Sequence, residues 1–166
     1  MPDKETLEAA RQDKREGKSP STQAGEFVRE EIHHIREGKH GARSAKQAIA
    51  IGLSKARRAG VDLPPPPKGR TSERTRQSAR RAAAAGKRGS RKVSRPRSRA
   101  ASNALKDEGR SAASHRALAT QARRSAKRRG AASRSAAAKK AARTKGPRVR
   151  SAAARKAART RVAKRR

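Results

Sequence analysis

The sequence predicts an all-α protein. A short N-terminal helical hairpin, about 20–37 and 45–59 with an additional helix over 4–16, precedes a long disordered basic tail with helix-forming Ala-rich blocks. Two observations carry this. The apolar residues of the first 63 positions recur at helical spacing and are bounded by capping signals. Residues 64–166 are almost wholly Arg, Lys, Ala and Ser, and their large apolar residues are Val93, Leu105, Leu118, Val149 and Val162. So few side chains do not offset the entropy of ordering the segment, so it is expected to be disordered when free.

In the first element, Asp3 stands as N-cap and Gly17 as stop, and Leu7 and Ala10 are the only apolar points. In the second, Ser19 caps and Pro20 takes the first helical position, where its missing N–H costs nothing. Ala24, Phe27, Val28, Ile32 and Ile35 form its stripe, and Gly38 ends it. After the connector 38–43, Ser44 and Gln47 make a capping box. Ala45, Ala48, Ile49, Gly52, Leu53 and Ala56 follow on one face, Gly60 is placed for a left-handed end, and Val61 is its apolar clasp. The second helix is acidic and the third basic, so an antiparallel hairpin is expected. Residues 1–63 thus form a small helical region, 64–70 a Pro-rich linker and 71–166 the nucleic-acid-binding tail.

The tail contains a 16-residue repeat, 135–150 and 151–166, whose first ten positions differ only by Lys139 against Arg155. A looser copy spans 110–130. Glycines and prolines divide the tail into Ala-rich basic blocks near 111–129, 135–145 and 151–164. These blocks are expected to stay unfolded through charge repulsion and to gain helix on binding.

The chain holds 48 Lys+Arg against 13 Asp+Glu, a net charge of +35. Residues 64–166 hold 35 of the cations and three acids, Glu73, Asp107 and Glu108. Thirty-five cations match the phosphates of roughly 60 Å of duplex, by contacts that carry no base information. The expected interface is Lys139, Lys140, Arg143, Lys145, Arg148, Arg150, Arg155, Lys156, Arg159, Arg161, Lys164, Arg165 and Arg166. Lys46, Lys55, Arg57 and Arg58 form a second tier. SRPRSR (94–99) is read as a basic turn or a minor-groove hook. GKHGARS (38–44) is read as a glycine-punctuated turn or a phosphate cradle.

Glu30, His33 and Glu37 share a helix face and could offer a surface metal site, but solvated ion pairs are the expected reading. No nucleophile stands with a base and an orienting group, so no enzyme activity, cofactor or metal is expected. Cysteine is absent, and no apolar run suits a signal peptide or a membrane span.

The segment RSAKQAIAIGLSKARRAG (43–60) resembles a signature of small basic bacterial proteins of uncharacterised function, and GEFVREEIHHIREGKHG (25–41) resembles their longer members. The resemblance implies DNA binding. The tail is similar in composition to bacterial linker-histone-like proteins.

The expectation is therefore a sequence-tolerant, nucleoid-associated DNA-binding protein of the cytoplasm that neutralises phosphates and condenses or bridges duplexes. The alternatives are an RNA-binding or ribosome-associated protein, and a protein-interaction module tethered to nucleic acid by its tail. The sequence lacks the aromatics that stack single-stranded RNA, Phe27 being its only one. The small hairpin is expected to pair as a homodimer; the alternative is that Leu7 and Ala10 fold over Ile51 within one chain.

Overall fold

A computed structural model describes residues 2–89 and 94–163. Seven α-helices are present among them: α1 (Lys4–Arg15), α2 (Pro20–Glu37), α3 (Ala45–Arg58), α4 (Glu73–Arg88), α5 (Arg95–Lys106), α6 (His115–Arg128) and α7 (Gly130–Ala163). A short 3₁₀ turn, Ser111–Ala113, precedes α6. The chain divides into two units, Met1–Gln121 and Ala122–Arg166.

This overturns the expected hairpin with a disordered tail. Four of the seven helices lie beyond the proline run, and the first unit extends far past residue 63. The proline run lies between α3 and α4, which pack on one another. The tail, however, is helix punctuated by caps, and three physical features explain why.

Alanine has the highest helix propensity, and the blocks are bounded by good terminators. Ser72 Oγ accepts from Thr75 N at 3.3 Å and Ser114 Oγ from Ala117 N at 3.2 Å, so serines in apparent low complexity act as N-caps. Small residues, moreover, are themselves packing surface. Ala79 and Ala82 of α4 are buried, and α4 packs on α3. Gly86 lies so close to the Arg57 carbonyl oxygen that a Cβ there would overlap it. SRPRSR is neither turn nor hook: Ser94 is the N-cap of α5, with Pro96 in its first turn. Val93, Lys164, Arg165 and Arg166 lie outside the described residues.

Helix α2 is the shared wall of the first unit. On one side Ala24 and Phe27 pack with Ala10, Ala56, Leu7, Leu53, Val61 and Leu63. On another Ile32 and Ile35 pack with Ala42, Ala48, Ala112 and Ala113, joined by Val28 and Leu118. Phe27 and Ile35 are 1 % and 0 % exposed, so the centre of the stripe is covered within one chain. Leu7 and Ala10 pack with Phe27, while Val28, Ile49 and Ile51 stay half-buried.

Helices α2 and α3 approach closely because Gly52 carries no side chain; a Cβ would stand 2.7 Å from Val28 Cα. The Ala59–Gly60–Val61 end of α3 makes two closing bonds, Gly60 N to Arg57 O at 3.2 Å and Val61 N to Ala56 O at 3.1 Å. These are the bonds of a Schellman end.

In the second unit α7 turns at Gly146 (φ 66°, ψ 169°), followed by Pro147. Glycine ends one helical run and proline opens the next, so α7 is two runs, 130–145 and 147–163, whose break falls inside the first repeat.

Two glycine variants test the packing. Gly86→Ala gains helix propensity but strikes the Arg57 carbonyl, and is expected to lose about 1–3 kcal/mol in urea denaturation. Gly25→Ala, in α2 with open space around it, is expected to gain about 0.5–1 kcal/mol.

Candidate nucleic-acid interface and a buried charge cluster

Residues 122–166 contain 19 Lys+Arg and no Asp or Glu. Lys139, Lys140, Arg143, Lys145, Arg148, Arg150, Arg155, Lys156, Arg159 and Arg161 are all exposed on α7. With no acidic side chain in their own unit, these cations have no partner there to pair with. The repeat is structural as well as textual. Thr144 Oγ1 donates to Lys140 O at 3.0 Å, and Thr160 Oγ1 donates to Lys156 O at the same 3.0 Å, 16 residues on. Cations one turn apart, Lys139 with Arg143 and Arg155 with Arg159, repel along the helix surface, a cost that a polyanion removes.

The second-tier cations divide. Lys46 and Arg58 are exposed. Arg57 is buried, donating from Nε to Leu63 O at 3.1 Å and from Nη2 to Pro64 O at 3.0 Å, so it pins the start of the proline run to α3. Burial pushes its guanidinium pKa down from the ordinary value. Lys55 faces the interior. Both are corrections to the expected interface: an internal carbonyl or carboxylate holds each cation.

The 38–44 connector is no phosphate cradle. Gly41 N donates to Leu105 O at 2.7 Å and Ala42 N to Gly109 O at 3.1 Å. The Glu108 carbonyl occupies the space where a Gly41 side chain would stand. Two of the amides that an anion would need, those of Gly41 and Ala42, are taken by the 105–109 backbone. The capping box does form: Gln47 N donates to Ser44 Oγ at 3.2 Å, and Arg43 N to Gln47 Oε1 at 3.0 Å.

Beneath α3 lies a cluster of charges. Glu30 and Glu31 of α2 have side chains 3 % and 0 % exposed. Lys55 Nζ stands 3.1 Å from Glu30 Oε1 and 2.7 Å from Glu31 Oε2. His40 Nε2 lies 3.3 Å from Glu31 Oε1. His34, one turn after Glu30, has Nε2 3.1 Å from Asp3 Oδ2 and Nδ1 3.8 Å from Glu30 Oε1. Asp3 N donates to Glu30 Oε2 at 3.2 Å, tying the start of α1 into the same cluster. Burial alone would lower the Lys55 pKa; contacts with Glu31 and Glu30 outweigh it and raise the ammonium above its ordinary value. The hydrogen bond with His34 lowers the Asp3 carboxyl below its ordinary value.

The surface trio Glu30, His33 and Glu37 does not converge. His33 Nε2 pairs with Glu37 Oε1 at 2.8 Å in solvent, while Glu30 turns inward. Among the described residues, the ligand atoms that gather within 4.8 Å of one another belong to Glu31, His34 and His40, and to Asp3, Glu30 and His34. Asp3 and His40 escaped the sequence reading because neither lies on the helical period of α2; the paired His33-His34 and Glu30-Glu31 were the available signal.

Residues 11–68 match a family described as a family of unknown function, DUF6496. The match spans the end of α1, α2, α3 and the proline run. No curated protein and no solved structure matches the chain.

Lys55→Ala leaves two buried carboxylates without their ammonium, and is expected to cost about 3–5 kcal/mol by urea denaturation. Lys55→Met combined with Glu30→Gln and Glu31→Gln is expected to recover part of that loss. The pH dependence follows from the shifts. The raised Lys55 contributes fully below its ordinary value, and its contribution fades as pH rises through the folded-state value. The lowered Asp3 contributes above the ordinary carboxylate value, and its contribution fades as pH falls through the folded-state value. Thermal melts across pH are therefore expected to show a neutral plateau with an acid limb that Asp3→Asn reduces.

Proposed function

We propose that this protein binds duplex DNA without base specificity, through preformed basic helices that neutralise backbone phosphates. One observation carries the reading: a separate unit with 19 cations and no acids, its α7 cations turned to solvent. Nineteen cations match the phosphates along about 30 Å of duplex, at one charge per roughly 1.7 Å. Each helical run of α7, about 16 residues, is about 24 Å long, so the charge is spread on the length scale of the groove it would follow. The cations are carried around α7 rather than on one face, which suits backbone tracking and offers no fixed donor array for reading base edges.

The structured first unit, with 29 cations against 13 acids, supports a different role within this reading. Its central cations are committed internally, and Lys46 and Arg58 remain at its surface. It serves as the folded anchor of the basic helices. No helix among the described residues is long and apolar enough to cross a membrane.

The test is anisotropy of the full chain on random-sequence duplexes over a range of salt. Log affinity is expected to fall linearly with log salt, with equal slopes for unrelated sequences. Neutralising Lys139, Lys140, Arg143, Arg155, Lys156 and Arg159 to Gln is expected to lower the slope by up to about 5. Deleting 122–166 is expected to remove most of the affinity at physiological salt. An unchanged slope in the six-site variant sinks the assignment, and preferential binding of structured RNA at equal phosphate replaces the DNA partner.

A further inference from the structure

We propose that Glu31, His34 and His40 form a binding site for one divalent transition-metal ion, zinc by the chemistry of its donors, with Asp3 orienting His34. The site lies in the first unit and does not depend on nucleic-acid binding.

Two imidazoles and a carboxylate are a donor set suited to zinc. Their ligand atoms lie within 4.8 Å of one another. Bonds of about 2.0–2.1 Å at tetrahedral angles place neighbouring ligand atoms about 3.3 Å apart. His40 Nε2 and Glu31 Oε1 stand at 3.3 Å. Glu31 and His34 are three apart on α2 and share its face, while Gly41 N bonded to Leu105 O holds the His40 loop over them.

A second observation points to a missing cation. Glu31 is wholly buried, and neither of its carboxylate oxygens has a hydrogen-bond donor in proper alignment. Lys55 approaches Oε2 as a charge without that alignment and leaves Oε1 facing His40. Oε1 of the buried Glu31 thus faces the two imidazoles with no donor aligned on it, where a cation would sit.

The imidazoles are arranged as ligands are. His34 Nε2 meets the Asp3 carboxylate at 3.1 Å, which leaves Nδ1 for a metal. His40 Nδ1 meets Gly41 O at 3.1 Å, which leaves Nε2. Each ring thus has one nitrogen fixed by an oxygen acceptor, the outer-shell pattern that sets tautomer and orientation at metal sites. Glu30, or a water, would complete the coordination. Bound metal would clip the 38–42 loop to α2 and secure the 105–113 segment that rests on that loop.

The experiment is titration of chelator-treated full-length protein with Co²⁺, followed by visible absorption, then displacement by Zn²⁺. One Co²⁺ per chain is expected, with the intense bands of a four-coordinate site, lost on adding equimolar Zn²⁺. His40→Ala and Glu31→Gln are each expected to weaken binding by at least about 100-fold, and Asp3→Asn by about 10–100-fold. His33→Ala and His115→Ala are expected to bind as the parent does. Zinc is also expected to raise the melting temperature of the parent and not that of His40→Ala. Glu31→Gln preserves side-chain shape, so it decides the matter if His40→Ala loses its fold by circular dichroism. No stoichiometric uptake at micromolar metal, unchanged binding in Glu31→Gln or a folded His40→Ala, or loss of binding in His33→Ala overturns the proposal.

Discussion

The Lys55 ammonium between Glu30 and Glu31 is the interaction on which the first unit depends. A buried carboxylate pair is tolerable only with a cation against it, and Lys55 reaches both from α3. That requirement fixes which face α3 turns to α2 and at what height. Gly52 then meets the α2 backbone at Val28, and Ala48 and Ala56 fall on the two sides of the wall that α2 provides. Asp3 and His40 join the same charges from opposite ends of the segment, so the start of α1 and the connector after α2 are positioned by one electrostatic centre.

Beyond that centre, packing depends on small residues. Of the buried apolar side chains among the described residues, only Phe27, Ile32 and Ile35 are larger than alanine. The other fully buried apolar residues are Ala10, Ala24, Ala42, Ala45, Ala48, Ala56, Ala79, Ala82, Ala112 and Ala113, with Leu7, Val28, Leu53, Val61, Leu63 and Leu118 packed at their margins. Each contributes little area, but alanines and glycines let backbones approach closely, and dispersion between close-packed backbones replaces what large side chains supply elsewhere. The carbonyl contacts at Gly86 and Gly41 are the extreme of this: helix α4 and the 105–109 segment sit where any side chain would exclude them. A protein with one Phe and no Trp or Tyr can form a core this way.

Charge is partitioned to match. All 13 acidic residues lie before residue 122, and Asp13, Glu16, Glu26, Glu30, Glu31, Glu37 and Glu73 pair with cations there. The 45 residues after Gln121 have none, and their helices rest on alanine propensity and on glycine and proline punctuation rather than on packing. This separation supports the proposed division between a folded anchor and basic helices that require a polyanion to relieve their own repulsion.

The α2 and α3 segments were legible because large apolar residues, Ser44, Gly38 and Gly60 mark period and ends within a few residues of each other. The repeat and the cations at Lys139 to Arg161 were likewise legible, since they need only composition and offset. The order of the tail was not. Counting five large apolar residues treats Ala79, Ala82, Ala112 and Ala113 as neutral, and only a backbone close enough to touch them makes them core. Nor could spacing show that Lys55 and Arg57, two of a basic run, point inward to carboxylates and carbonyls while Arg58 stays in solvent. Helical periodicity, helix-end signals and the location of the net charge are readable from the chain alone, because these are local or additive properties. Tertiary structure alone decided which alanines are buried, which cations are spent internally, and that Asp3, Glu30, Glu31, His34, His40 and Lys55 meet, because those depend on distances between segments far apart in the chain.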